Sequence, residues 1–148
     1  MDKVLLSSKS NEWETPQALF DDLNDEFHFT LDPCSTHENA KCEKHYTAED
    51  DGLSHSWVGE TVFMNPPYGR EIGKWIKKAY EESQNGAVVV CLIPSRTDTN
   101  YWHDYCMKGD IRFLRGRVYF KGGNGARSPA PFPSAIVVLK GGKKCQEQ

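Results

Sequence analysis

The chain of 148 residues predicts an α/β fold: a three-layer sandwich with a mostly parallel sheet and an antiparallel strand pair toward the C-terminus. Three observations carry this expectation. Short apolar runs alternate with stretches of helical periodicity in the order strand, helix, strand, helix, strand, loop, strand. The run 87–93 is β-branched, does not alternate, and is bounded by Gly86 and Pro94, as expected of a central strand buried on both faces. A Gly- and Pro-rich stretch, 122–133, joins the last two strands without a helical pattern, so they should pair antiparallel.

The elements follow in order. Residues 1–12 and 141–148 are polar ends, expected to be flexible. Leu19, Phe20, Leu23 and Phe27 fall at helical spacing, with Thr15 as the expected N-cap and Pro16 as the first helical residue. Residues 28–33 read as a short strand ending in an acidic turn. The polar stretch 34–59 reads as loop with one helical turn and an extended piece near 45–47. A strand at 61–64 must stop at Asn65-Pro66-Pro67-Tyr68, because neither proline can donate a backbone hydrogen bond. The helix 71–84 should bury Ile72, Trp75, Ile76, Ala79 and Tyr80 and expose Lys74, Lys77, Lys78, Glu81 and Glu82. Residues 99–107 fit a short helix, 111–120 a strand and 134–140 the last strand. With no repeat and no linker, the expectation is a single domain spanning 1–148.

Composition narrows the classes. No apolar run is long enough to span a bilayer, and the chain opens on the polar Met1-Asp2-Lys3 rather than a signal peptide. Five scattered cysteines, an odd number, argue against a disulfide framework and for a reducing compartment. A soluble, cytoplasmic protein is expected. The net charge of −3 conceals a division: residues 1–68 sum to −10 and residues 69–148 to +7. An acidic half suits a cationic, hydroxyl-bearing ligand, and a basic half suits a polyanion.

The turn Asn65-Pro66-Pro67-Tyr68 carries the chemistry. An exocyclic amino group on an aromatic ring is a poor nucleophile, because its lone pair is delocalised. Two acceptors on its N–H bonds can hold the nitrogen and aim that lone pair at an electrophile. The Asn65 side-chain oxygen and the Pro66 carbonyl are two acceptors on a turn that Pro67 stiffens, and Tyr68 offers a ring on which a planar base could stack. Catalysis at such a site is mostly positioning for in-line displacement.

Asn-Pro-Pro-Tyr after an apolar strand resembles motif IV of the S-adenosylmethionine-dependent amino methyltransferases. The ordered set Trp13-Glu14-Thr15-Pro16, Phe29-Thr30-Leu31-Asp32-Pro33-Cys34, Glu49-Asp50-Asp51-Gly52-Leu53, Asn65 to Tyr68, Ile93-Pro94-Ser95-Arg96 and Pro131-Phe132-Pro133-Ser134 resembles the compact, phage-type DNA adenine methyltransferases (Dam-like) over residues 11–139. The resemblance implies an abbreviated Rossmann-like methyltransferase fold. It implies methyl transfer from S-adenosylmethionine to the N6 amino group of an adenine flipped from double-stranded DNA, in host cytoplasm if phage-encoded. It places Trp13, Thr15 and Pro16 near the methionine end of the cofactor, and Asp32, Pro33 and Cys34 in the cofactor loop. Asp50 or Asp51 would meet the ribose or adenine, and Asn65, Pro66, Pro67 and Tyr68 the target base. The modification could protect DNA from restriction or regulate it.

Two departures bear on the expectation. The glycine-rich cofactor loop is replaced by Cys34-Ser35-Thr36, and only 33 residues separate Asp32 from Asn65, too few for a full doubly wound cofactor half. Two other readings therefore stay open here: a protein glutamine or RNA base methyltransferase, and a non-catalytic nucleic-acid-binding module. For DNA contact the sequence offers Arg70, Arg96, Arg115, Arg117, Lys121 and Arg127, with Lys74 and Arg112 nearby, and the loop from Gly122 as a groove-entering element. Cys34, His37, Cys42 and His45 have spacings near those of a zinc site, but no metal is assigned.

Overall fold

The computed structural model describes residues 13–121 and 126–141. The terminal segments and the glycine-rich start of the 122–133 loop, on which the sequence placed flexible or groove-entering elements, lie outside those residues except for Ala126 onward and Gly141.

Helix α1 spans Gln17–Phe27, strand β1 Thr61–Met64, helix α2 Ile72–Gln84 and strand β2 Val88–Pro94. Helix α3, Asn100–Asp104, runs into a 3-10 turn. Strands β3 (Asp110–Phe113), β4 (Tyr119–Lys121), β5 (Arg127–Pro129) and β6 (Ser134–Lys140) follow. One sheet has the order β1-β2-β6-β3, and β4 and β5 form a second, two-stranded sheet.

The first sheet is mixed. β1 and β2 pair parallel, from Thr61↔Val88 to Met64↔Cys91. β6 runs antiparallel to both β2 and β3, so β1, β2 and β3 share a direction that β6 alone opposes. β2 occupies the interior, and Val89 to Ile93 are fully buried, as the unalternating apolar run predicts. The antiparallel pairing of the last strands holds for β3 and β6.

The strand expected at 28–33 shrinks to single bridges, Leu31 beside Val62 and Asp32 beside His45, both parallel. His28 takes the left-handed conformation (φ 60) that closes α1, and Pro33 has no N–H to continue the ladder. The strand expected at 111–120 is broken in two. β3 stops at Phe113, Gly116 turns the chain at φ 75, and Tyr119–Lys121 pair instead with Arg127–Pro129, inside the expected loop.

Helix α1 starts one residue later than expected. Pro16 (ψ 137) is its N-cap and its carbonyl accepts from Phe20 N–H, while the Thr15 hydroxyl caps nothing. Phe20 and Leu23 turn inward, and Phe20 meets the Phe63 ring edge-on at 5.2 Å.

Helix α2 buries Ile72, Trp75, Ile76 and Ala79 as its spacing predicts, but it also buries Glu82. The Glu82 carboxylate accepts from the Trp57 backbone N–H and pairs with Lys78 at 3.1 Å, a geometry that makes a buried carboxylate tolerable. Trp57 is fully buried, donates from Nε1 to the Gly52 carbonyl at 3.1 Å and stacks on Trp75. This staple holds the otherwise polar stretch 47–59 against α2.

Candidate active site

β1 and the Leu31 segment run parallel and release the chain side by side: Asp32-Pro33-Cys34 from one, Asn65-Pro66-Pro67 from the other. Ligands of open α/β sheets bind beyond such carboxyl ends. An open cleft of about 690 Å³ lies there, lined by Trp13, Thr15, Asp32, Pro33, Cys34, Asp51, Asn65, Pro66 and Pro67, among others. Its size suits a small-molecule site. Residues far apart in sequence, each predicted separately, thus face one space.

Sequence reasoning missed several walls of the cleft. Phe63, Leu53 and Trp75 supply apolar surface, while Glu14, Glu38, Glu49 and Glu71 join the predicted Asp51 in supplying carboxylates against Lys41 and His37. Gly52 is needed for close approach: a Cβ there would lie 2.1 Å from the Pro33 carbonyl oxygen and 3.1 Å from the Trp75 ring. The Glu-Asp-Asp-Gly run signals this turn in the sequence; the acids of other segments carry no such local mark.

Asp32 organises the loop rather than projecting into it. The residue is 4% exposed. One oxygen accepts from Lys41 N–H at 2.9 Å and the other from Cys34 N–H at 3.4 Å, so the carboxylate ties both ends of the 33–41 loop. Burial raises its pKa, and these N–H groups oppose the rise. Burial also pushes the Cys34 thiol up, and that thiol donates to the Asn65 backbone carbonyl at 3.4 Å.

Asn65 stands at the cleft edge with its amide fully engaged on one side. Nδ2 donates to the Trp13 carbonyl and to Thr15 Oγ1, the latter at 3.0 Å. Oδ1 accepts from the Tyr68 hydroxyl at 2.8 Å. Oδ1 retains a second lone pair for another donor. The Tyr68 hydroxyl also lies 3.1 Å from the Leu92 carbonyl, and burial holds its pKa well above the usual phenol range, so it remains protonated.

One sequence expectation needs correction, and two further residues lie outside the cleft lining. Tyr68 presents no free ring face: it is 6% exposed, lies beside Trp13 with centroids 6.4 Å apart, and is flanked edge-on by Phe120 and Phe132. Its hydroxyl reaches inward, and burial of the ring is the favourable arrangement. Pro16 lies outside the cleft lining because it caps α1. Asp50 is likewise outside, its carboxylate accepting from Thr47 N–H at 2.9 Å and Thr47 Oγ1 at 3.1 Å. Those bonds hold its pKa low; Asp51 is the acid that faces the cleft.

The Cys34, His37, Cys42 and His45 cluster does not converge. His37 Nδ1 meets His45 Nε2 at 2.9 Å, His45 Nδ1 faces the Cys42 and Glu43 carbonyls, and Cys34 turns to Asn65. Among the described residues, no three His, Cys, Asp or Glu side chains are placed to hold a metal ion.

The basic residues divide into two groups. Arg70, Arg96, Arg115, Arg117, Lys121 and Arg127 are all exposed. Lys121 and Arg127 face each other across the β4–β5 hairpin; Arg117 also donates to the Ala130 carbonyl, and Arg96 lies over the Phe132 ring. Arg112 belongs to the second group. It makes a two-pronged pair with Glu26 at 2.7 Å, and Lys74 pairs with Glu71. The hairpin touches the site through Phe120, which packs on Trp13, and through reciprocal backbone hydrogen bonds between Glu14 and Lys121. Tyr119, on the same strand, is exposed among these cations.

An acidic cleft thus lies beside the Asn-Pro-Pro-Tyr turn, with a cationic hairpin packed against it. The chain belongs to the family described as DNA N-6-adenine-methyltransferase (Dam), whose model matches residues 3–145; the family's reaction is methylation of adenine N6 in DNA. It is 39% identical over 70 residues to YfdM of Escherichia coli (strain K12), which carries a methyltransferase name. That match covers 43% of this chain and 77% of YfdM. It is also similar to two proteins named DNA N-6-adenine-methyltransferase. One, from Escherichia phage T1, is 30% identical over 92 residues, covering 61% of this chain and 38% of the relative. The other, from Haemophilus phage HP1 (strain HP1c1), is 28% identical over 103 residues, covering 68% and 59%. The matched segments thus span less than two thirds of either phage protein. Among the described residues, no helix is long and apolar enough to cross a membrane.

Proposed function

We propose that this chain is a single, abbreviated Rossmann-like methyltransferase domain, three layers deep. It methylates the N6 amino group of adenine in double-stranded DNA, using S-adenosylmethionine. The observation that carries the reading is the orientation of Asn65, which lines an acidic cleft with Nδ2 bonded to Trp13 and Thr15 and Oδ1 turned the other way.

The cleft fits the cofactor. Five carboxylate side chains besides Asp32 line it, an arrangement suited to a sulfonium and to ribose hydroxyls, and Phe63, Leu53 and Trp75 suit a planar base. S-adenosylmethionine supplies an electrophilic methyl group on sulfur. Asp51 and Glu49 line the cleft and would meet the ribose hydroxyls, and Trp13 and Thr15, which bond Asn65, line it too.

The chain's own residues do the positioning. Asn65 Oδ1 and the Pro66 carbonyl accept the two N–H bonds of the adenine amino group, turning its lone pair toward the methyl carbon. The amino nitrogen would take the methyl group that S-adenosylmethionine supplies, leaving the sulfur its bonding pair, and then release a proton to solvent; no strong base is required. Half-buried Trp13, rather than Tyr68, supplies an aromatic surface at the cleft. A base inside a duplex cannot reach this turn, so the adenine must be extruded. Arg117, Lys121 and Arg127 hold the phosphates, with exposed Tyr119 as a ring for an unstacked base.

The test is incubation of the full chain with radiolabelled S-adenosylmethionine and unmethylated DNA, beside Asn65→Ala. Label should appear in DNA as N6-methyladenine and fall by at least about a hundredfold in the variant. Undiminished transfer by Asn65→Ala, or label entering only protein or RNA, would overturn the reading.

A further inference from the structure

Asn65 can accept from a substrate amino group only if its oxygen, and not its NH2, faces the reacting base. The two ends of an amide are nearly the same in shape, so packing alone does not choose between them. Hydrogen-bond partners choose. The Trp13 backbone carbonyl has no proton and can only accept, so the group against it must be Nδ2. Thr15 Oγ1 takes the second Nδ2 proton at 3.0 Å. Oδ1 is left to accept from the Tyr68 hydroxyl, with a second lone pair free for another donor, and Asn65 lines the cleft.

Both partners sit on one strap. Thr15 is 4% exposed. Glu14, between Trp13 and Thr15, exchanges two backbone hydrogen bonds of 3.2 Å with Lys121, so the strap cannot swing away from Asn65 without breaking that pair. The Trp13 ring is further held against Phe120 and Phe132.

We propose that Trp13 and Thr15 form an amide-orienting clamp, in which Thr15 is a positioning residue that keeps Asn65 an acceptor toward the substrate amino group. The proposal rests on the function given above. It has a second consequence: the clamp selects asparagine over aspartate at position 65. A carboxylate there would set an oxygen against the Trp13 carbonyl with no proton between them.

The clamp is tested with Thr15→Val, which keeps shape and removes the acceptor, and Thr15→Ser, which keeps the acceptor. Thr15→Val should lower kcat about tenfold, the worth of one buried hydrogen bond. Thr15→Ser should recover most of the lost turnover. Asn65→Asp should fall below Thr15→Val. In amide-exchange NMR, the Asn65 Nδ2 protons should be protected in the wild type and exchange faster in Thr15→Val. Wild-type turnover in Thr15→Val, serine as slow as valine, or unchanged protection of the Nδ2 protons would each overturn the clamp. If the wild type transfers nothing to DNA adenine, the functional reading falls, while the exchange measurement still decides the clamp.

Discussion

The Tyr68 hydroxyl donates to the Asn65 side-chain oxygen across 2.8 Å. This bond joins a ring packed among Trp13, Phe120 and Phe132 to the amide at the edge of the cleft. The motif's tyrosine is therefore buried and bonded to Asn65 rather than open as a stacking platform.

Replacing that tyrosine tests the bond directly. Tyr68→Phe keeps the ring and removes the donor shared by Asn65 Oδ1 and the Leu92 carbonyl. Stability should fall by about 1 kcal/mol, read by urea denaturation. Single-turnover methylation should slow by about tenfold, because Oδ1 is no longer held. An unchanged rate would show that the bond has no part in positioning Asn65.

Gly52 sets the shape of the cleft wall. A Cβ in Gly52→Ala would fall 2.1 Å from the Pro33 carbonyl oxygen, and backbone must move to admit it. The cofactor Kd should rise at least about tenfold, and stability should drop by about 1–3 kcal/mol. Calorimetric titration and thermal unfolding read the two effects separately; unchanged affinity would place the cofactor away from the 33–52 contact.

The hairpin cations should carry the salt dependence of DNA binding. Lys121→Ala and Arg127→Ala should each weaken binding and reduce the slope of log K against log salt by about one. Arg112→Ala should leave that slope unchanged, because its guanidinium is already committed to Glu26 at 2.7 Å. Fluorescence anisotropy across a salt series measures this. A slope unaffected by the hairpin changes would put the DNA on another face.

Glu82 predicts a purely structural effect. Glu82→Ala leaves the Trp57 N–H and the Lys78 ammonium without their partner. The loss should be about 2–4 kcal/mol, whereas Glu82→Gln, which still offers an oxygen, should lose less. Denaturant midpoints of the two variants give the comparison, and equal losses would mean that the charge pair outweighs the N–H contact.

Much of the fold is legible in local pattern. The unalternating run from Val89 to Ile93 is a buried interior strand, and the 3.6-residue spacing of Ile72, Trp75, Ile76 and Ala79 marks one face of a helix. Glu82 escaped that pattern because a carboxylate reads as exposed until a partner 25 residues away, the Trp57 N–H, turns it inward. The strand expected at 111–120 failed for a related reason. A turn at Gly116 and a competing partner at residues 127–129 divide it, and periodicity does not report partners.

By itself, the sequence determined the stiff acceptor turn at Asn65-Pro66-Pro67, because proline's missing N–H and fixed φ are covalent properties that act wherever the chain is placed. It also determined the separation of acidic and basic halves, and the motif order by which the family is recognised. Only the tertiary structure decided that Thr15, expected to cap a helix, accepts from an amide 50 residues away, that Tyr68 is buried, and that Arg112 is spent on Glu26 at a separation of 86 residues. Those outcomes depend on which groups meet across the folded chain. A donor or acceptor bonds the partner that burial brings to it, and local sequence contains no record of that partner.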